Sequence, residues 1–411
     1  MIVLPALALL ISCSDEPPGG ASADSKAVSV RKSFTRPVLV HYMPWFETPS
    51  TNQGRWGIHW TMADRNPDLI TDEQTGRRQI ASHFYPLIGP YASSDPFVIE
   101  YQILLMKMAG IDGVLFDFYG TSAHADYPLI LHNVQVMIGK LSTAGLGFAF
   151  VYEDQSVRHA LDAGVIPDAL RQASADMRWM GSHFKTDGYI RLSAQGGLSD
   201  SGKPLLMVFG PQYFQQPDAW ATLIGSLPEN PALLPLWYES SDVGTTAGGE
   251  FSWIYQDSKS YLGHLGDFYA IDFTGRIRMA VAFPGFQDFY AEGGWGPNLF
   301  RIDHRAGVTF EETLALAMKT EGPIQLATWN DYGEGTMIEP TVEFGFQHLE
   351  TLQDELGVDA TPQDLRLAER LYRLRISSRN DASLQADLDR IYDLIVTLRW
   401  SEAERQLTLL E

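Results

Sequence analysis

Asp331 and Glu334 stand three positions apart in the run Trp329-Asn330-Asp331-Tyr332-Gly333-Glu334-Gly335-Thr336-Met337-Ile338-Glu339-Pro340. Paired carboxylates are what cleavage of a glycosidic bond requires: one group protonates the leaving oxygen and the other acts as base or nucleophile. The same two residues in a merely solvated turn would do no chemistry, so the elements that place the loop decide the matter. Pro323-Ile324-Gln325-Leu326-Ala327-Thr328, a short apolar segment after Gly322, precedes it. This is the pattern of a buried strand delivering the chain into a polar loop.

The rest of the chain alternates strand and helix signals. Apolar runs at Pro37 to Tyr42, Gly113 to Phe118, Gly147 to Tyr152, Pro204 to Phe209, Leu233 to Tyr238, Phe251 to Tyr255, Met279 to Phe283 and Ile324 to Trp329 read as eight strands. Helical segments lie between them: Asp95 caps and Pro96 opens a helix that ends at Gly110, and others cover Tyr127 to Leu141 and Ala169 to Phe184. Eight such repeats predict an α/β fold, a (β/α)8 TIM-type barrel over residues 37–360. A doubly wound sheet is the alternative, but no Gly-rich phosphate loop follows the first strand. Residues 361–411 form a C-terminal extension of amphipathic helices. Thr361-Pro362 with Asp364 marks a start, Leu367, Leu371 and Leu374 share a face, and Ser401 with Glu404 reads as a capping box. These helices pack on the barrel or on one another, or else form a partner-binding hairpin.

Nearly every strand end carries an aromatic ring beside a carboxylate or His. His41-Tyr42-Met43-Pro44-Trp45-Phe46 and His59-Trp60 follow the first strand, Asp117-Phe118-Tyr119 the second, Tyr152-Glu153-Asp154 the third, Trp237-Tyr238-Glu239 the fifth, and Asp288 to Trp295 the seventh. Any one of these could be core filler. Together they suit a cleft that binds polyhydroxylated rings by stacking and charge-assisted hydrogen bonds. The chain has 51 acidic against 30 basic residues, a net charge of −21, which argues against a nucleic-acid partner. No His or Cys pair has ligand spacing, so no metal or other cofactor is expected.

Cys13 is the one cysteine. It follows the apolar run Met1 to Ile11, and Leu10-Ile11-Ser12-Cys13 resembles the lipobox of bacterial lipoproteins, although no Lys or Arg precedes the run. Residues 1–13 then read as a lipoprotein signal peptide with Cys13 as the lipidated residue, and 14–36 as a flexible tether. The expected location is the bacterial cell envelope, with the membrane met through a lipid anchor only.

From Val38 to about Gly345 the chain resembles glycoside hydrolase families 71 and 99. Tyr42-Met43-Pro44-Trp45, His59-Trp60, the segment from Tyr91 to Gly113 and the loop Trp329 to Pro340 are similar to family 99; Asn330-Asp331-Tyr332-Gly333-Glu334, Pro284-Gly285-Phe286 and Gly293-Gly294-Trp295-Gly296 are similar to family 71. The resemblance implies an endo-acting hydrolase of α-linked glycans, α-mannan or α-1,3-glucan in type, with a polysaccharide or oligosaccharide as substrate. Glu334 takes the acid role and Asp331 the base role. His41, Tyr42, Trp45, His59, Trp60, Asp117, Tyr152, Tyr238 and Asn330 are the expected substrate-binding residues.

At the base, family 99 has Glu, which deprotonates the sugar 2-hydroxyl, whereas family 71 has Asp. Asp withdraws the carboxylate by one methylene, roughly 1.5 Å. That leaves room for water and favours inversion; alternatively the backbone at Asn330 moves inward and Asp331 reaches the 2-hydroxyl. A lipid-anchored glycan-binding protein without turnover, or a surface-polysaccharide assembly protein, are the readings outside hydrolysis.

Overall fold

A computed structural model describes residues 27–411. Cys13, the expected signal peptide and residues 14–26 of the expected tether lie outside the described residues. Eight parallel strands surround one core: β1 (Val38–Tyr42), β2 (Gly113–Phe118), β3 (Gly147–Tyr152), β4 (Lys203–Val208), β5 (Ala232–Pro235), β6 (Gly249–Phe251), β7 (Ile277–Ala282) and β8 (Ile324–Leu326). Neighbours pair in parallel from β1 to β5 and from β6 to β8, and β8 returns to β1. Single parallel bridges, Leu233 to Ala247 and Leu236 to Phe251, close the remaining gap between β5 and β6. The expected barrel is therefore present.

Its boundaries differ where glycine and proline misled the sequence reading. The sixth strand begins at Gly249, which reads as a turn residue. A Cβ there would sit 1.9 Å from the Ile277 carbonyl, so glycine is what lets β7 approach. The fifth strand stops at Pro235, and the helix after it is a single turn, Ser240–Val243.

The outer helices are α1 (Pro96–Met108), α2 (Tyr127–Ala144), α3 (Ala169–Ser182), α4 (Pro217–Gly225), α5 (Tyr261–Tyr269), α6 (Val308–Ala317) and α7 (Gln347–Leu356). Asp95 caps α1 as its sequence predicts, accepting from Phe97 N. The extension is three helices, α8 (Pro362–Ser377), α9 (Ala382–Val396) and α10 (Trp400–Leu410). The capping box at Thr361 and Asp364 is present. The expected box at Ser401 is not: α10 opens two residues earlier, with Arg399 at the cap, so Ser401 lies inside the first turn. Arg375 on α8 is buried and joins the extension to α1 through a bidentate pair with Glu100, at 2.9 and 3.0 Å.

Residues 27–36, expected in the tether, are part of the folded unit. Ser33 N and Phe34 N donate to Gly357 O and Leu356 O, Val28 N donates to Val396 O, and Arg36 donates to the Met318 and Gly322 carbonyls. This strap crosses the face of the barrel opposite the loop of Asp331 and Glu334.

Candidate active site

The loop after β8 is closed on itself by its backbone. Thr328 N donates to Thr336 O, Ile338 N to Thr328 O, and Glu339 N to Trp329 O. Asp331 N donates to Thr328 Oγ1 at 2.8 Å, and Asp331 Oδ1 accepts from Glu334 N at 3.0 Å. Asp331 is thus oriented by the backbone that carries Glu334. Gly335 sits at φ +66°, and a Cβ there would meet the Gln287 carbonyl at 2.8 Å. Only glycine lets the loop turn beneath the segment that follows β7. That segment grips the loop: Gln287 N donates to Glu334 O, Phe289 N to Gly333 O, and Tyr290 OH to Glu334 Oε1 at 2.8 Å.

Strand alternation adds two more carboxylates. On β2 and β3 the residues Phe118 and Tyr152 turn outward to α3, where Phe118 stacks on Trp179 and Tyr152 OH donates to Asp176 Oδ2 at 2.8 Å. Asp117 and Glu153, one position away in each case, turn inward toward Asp331 and Glu334. Both are buried, and Asp117 Oδ1 has no hydrogen-bond partner among the described residues.

Four acids in one dry pocket cannot all ionise readily. Burial and then the Asp331 charge push Glu334 up to about 8. Burial raises Asp331 only to about 6, because the Glu334 and Gly333 amides and the nearby His59 favour its charged form. Burial pushes Glu153 up to about 8, and burial with the neighbouring charges holds Asp117 well above its ordinary value. Two carboxylates driven apart in this way are suited to serve as acid and base in one reaction.

The expected binding residues divide sharply. Trp45 lies flat on His59, with ring centroids 4.1 Å apart and an interplanar angle of 5°. His59 Nε2 is 3.3 Å from Asp126 Oδ2, and its ring meets Trp295 edge-on at 5.9 Å. These residues, with Asp117, stand at the pocket. The others do not present themselves to a ligand. Tyr42 faces outward and donates to Gln102 Oε1 on α1 at 2.8 Å. Trp60 is fully buried against Phe46 and donates to Tyr91 O at 2.8 Å. Tyr152 is committed to Asp176, as above. His41 is buried in the barrel interior against Trp253, where burial lowers it to about 3 and keeps it neutral. Asn330 has its amide consumed: Oδ1 accepts from Met43 N, and Nδ2 donates to Met43 O and Tyr91 OH. Tyr238 is 56% exposed and stacks on Trp237, with no contact to the carboxylates.

Sequence reasoning passed over Glu153, Tyr290 and Trp295 as site residues. Tyr290 donates to Glu334, and Trp295 offers a ring 46% exposed beside His59. Each lay in a strand-end cluster already visible in the sequence; for Glu153 the two-residue alternation of the strand was the available signal.

Residues 34–230 match the model of Glycosyl hydrolase family 99. The solved family 99 endo-alpha-mannosidase from Bacteroides thetaiotaomicron shares the fold, with TM-score 0.56 and 19% identity, covering 78% of this chain and 97% of that one. Over that stretch the chain is similar to glycosyl hydrolase family 99, and it shares the fold of the solved enzyme. Two glycoprotein endo-alpha-1,2-mannosidase-like proteins are similar in sequence. That of Mus musculus is 22% identical over 336 residues, 73% of this chain and 68% of the relative. That of Danio rerio is 29% identical over 112 residues, and the chain spans 25% of its length. The matched residues 34–230 end well before the loop that carries Asp331 and Glu334. The chemistry of that loop therefore rests on its geometry.

Proposed function

We propose that this protein is an endo-acting hydrolase of α-linked glycans of the α-mannan type, with Glu334 as general acid and Asp331 as base. The observation that carries the reading is the built pair: Glu334 N donates to Asp331 Oδ1 at 3.0 Å and Tyr290 OH to Glu334 Oε1 at 2.8 Å. Burial with the Asp331 charge pushes Glu334 further up than Asp331, which favours a protonated Glu334 beside an ionised Asp331. That is the pair of protonation states a glycosidase needs before substrate arrives. Asp117, Glu153 and the Trp45–His59 stack supply acceptors and a wall for sugar hydroxyls, and Trp295 supplies an exposed ring for stacking. Similarity to endo-alpha-mannosidases favours α-mannan over α-1,3-glucan as the first substrate to try.

The test is turnover of α-mannans and α-1,3-glucans with product sizing, repeated for Glu334→Gln. The variant should lose on the order of 100-fold or more on natural glycans and far less on activated aryl glycosides, whose leaving group needs no proton. Equal losses on both would show that Glu334 is not the acid. Glycan binding without turnover, unchanged in Glu334→Gln, would favour a binding protein instead. The lipid-anchored location belongs to this proposal as well. The strap at residues 27–36 would direct the catalytic loop away from an anchored N-terminus and toward polysaccharide.

A further inference from the structure

The closing motif of the loop, Ile338-Glu339-Pro340, takes no part in the proposed chemistry, yet Glu339 is 1% exposed and accepts from three side chains. Gln102 Nε2 donates to Oε1 at 2.7 Å; Tyr91 OH and Tyr332 OH donate to Oε2 at 2.8 and 2.9 Å. All three donors are neutral. Burial raises the Glu339 carboxyl, the hydrogen bonds oppose it, and the net position is about 7. A carboxylate sunk among tyrosines is a costly way to fill space, since an apolar side chain would pack there without a desolvation penalty.

What the three donors hold explains the arrangement. Gln102 is on the barrel helix α1. Tyr332 lies in the loop between Asp331 and Glu334. Tyr91 OH also accepts from Asn330 Nδ2 at 3.1 Å, and Asn330 grips both backbone groups of Met43 after β1. Both chain neighbours of Asp331 are therefore tied to Glu339, Tyr332 directly and Asn330 through Tyr91.

We propose that Glu339 is a positioning residue that fixes Tyr332 and Asn330 against α1 and so holds Asp331 and Glu334 in register for the reaction. The inference rests on reading those two residues as base and acid. Glu339 does not touch substrate; it acts through the loop. A displacement of about 1 Å in a reacting group costs on the order of 100-fold in rate, which sets the scale of the expected effect.

The experiment uses the full chain and whichever α-linked glycan the wild type cleaves. Glu339→Gln keeps shape and volume but removes one acceptor oxygen; Tyr332→Phe removes one donor. Each should lower kcat on the order of 10- to 100-fold with KM within about threefold, because the substrate contacts remain while the reacting groups shift. The two pH limbs should stay in place, since Tyr332→Phe removes no charge and the Glu339 carboxyl lost in Glu339→Gln is not among the groups that shift Asp331 and Glu334. The double variant should be no slower than the worse single one, because both break the same tie. Wild-type kcat in either variant overturns the proposal, as do fully additive losses or a loss confined to KM. If Glu339→Gln does not fold, Tyr332→Phe decides alone by the same kcat criterion. A wild type that turns over no α-linked glycan would overturn the acid–base reading itself, a result distinct from an active wild type with unaffected variants.

Discussion

Tyr290→Phe removes the one side-chain donor to Glu334, the proposed acid, among the described residues, and leaves the rest of the pocket standing. Its hydroxyl donates to Glu334 Oε1 at 2.8 Å and favours the ionised form, which lowers the Glu334 pKa against the upward push of burial and Asp331. A hydrogen bond to a charged group contributes about 1.5–3 kcal/mol and one to a neutral group about 0.5–1.5. The preference for the carboxylate over the carboxylic acid is then about 1–1.5 kcal/mol. At 1.36 kcal/mol per pH unit that is about one unit. Glu334 is half-buried, so water entering the vacated site recovers part of it, and about half a unit to one unit remains. The acid must be protonated to work, so activity falls as pH rises through its pKa. The alkaline limb of kcat/KM, near 8 in the wild type, should therefore move upward in Tyr290→Phe. The acid limb belongs to Asp331, which must be ionised; it should stay near 6. The assay is kcat/KM across both limbs for the two proteins, which reports the free enzyme. An alkaline limb that stays put or moves down would refute the assignment of Glu334 as the acid gripped by Tyr290.

Three further outcomes are expected. Glu153 is pushed up to about 8 by burial, against about 4.3 for a free side chain, so its contribution to stability is complete at acid pH and lost as pH rises through 8. Glu153→Gln should accordingly raise Tm at alkaline pH relative to the wild type, and an unchanged gap in Tm from acid to alkaline pH would refute this. Cys13→Ser should abolish lipid anchoring if the lipobox reading holds, read by detergent partitioning of the variant expressed in bacteria; unchanged partitioning would refute the anchor. Asp331, one methylene shorter than Glu, should activate water and invert configuration, so proton NMR of the first-released anomer from an α-linked glycan should show the β form; an α-product appearing first would return the 2-hydroxyl mechanism to favour.

The barrel was legible because each strand is a compact apolar run bounded by polar or glycine-rich turns, and β1 to β4 fall almost where their residues suggest. The larger misplacements lie at β8, which ends at Leu326 where the sequence suggested Trp329, and at β5 and β6, where Pro235 ends a strand early and Gly249 begins one for the sake of the Ile277 carbonyl. Such an approach between segments distant in sequence leaves no local mark.

The site was legible in its chemistry and much less so in its lining, for a related reason. Strands of a parallel barrel are buried on both faces, so both faces are apolar and alternation carries no polar signature. Tyr42 and Tyr152 therefore looked like cleft residues, although each turns outward to a partner on a helix, Gln102 and Asp176. Applying the two-residue period from those outward tyrosines gives the correction: His41 and Glu153 are the inward neighbours, one sealed in the barrel and one at the carboxylates. His59 and Trp60 make the same point on the single helical turn Ile58–Thr61. Adjacent residues there point about 100° apart, so one ring can wall the pocket while the next is core. Asn330 and Glu339 were the least legible of all. The sequence suggested substrate contact for Asn330 and no role for Glu339, but every side-chain polar atom of both is used to hold the loop. In such a loop the residues that touch the sugar and the residues that keep it in register share one chemistry, and only their partners distinguish them.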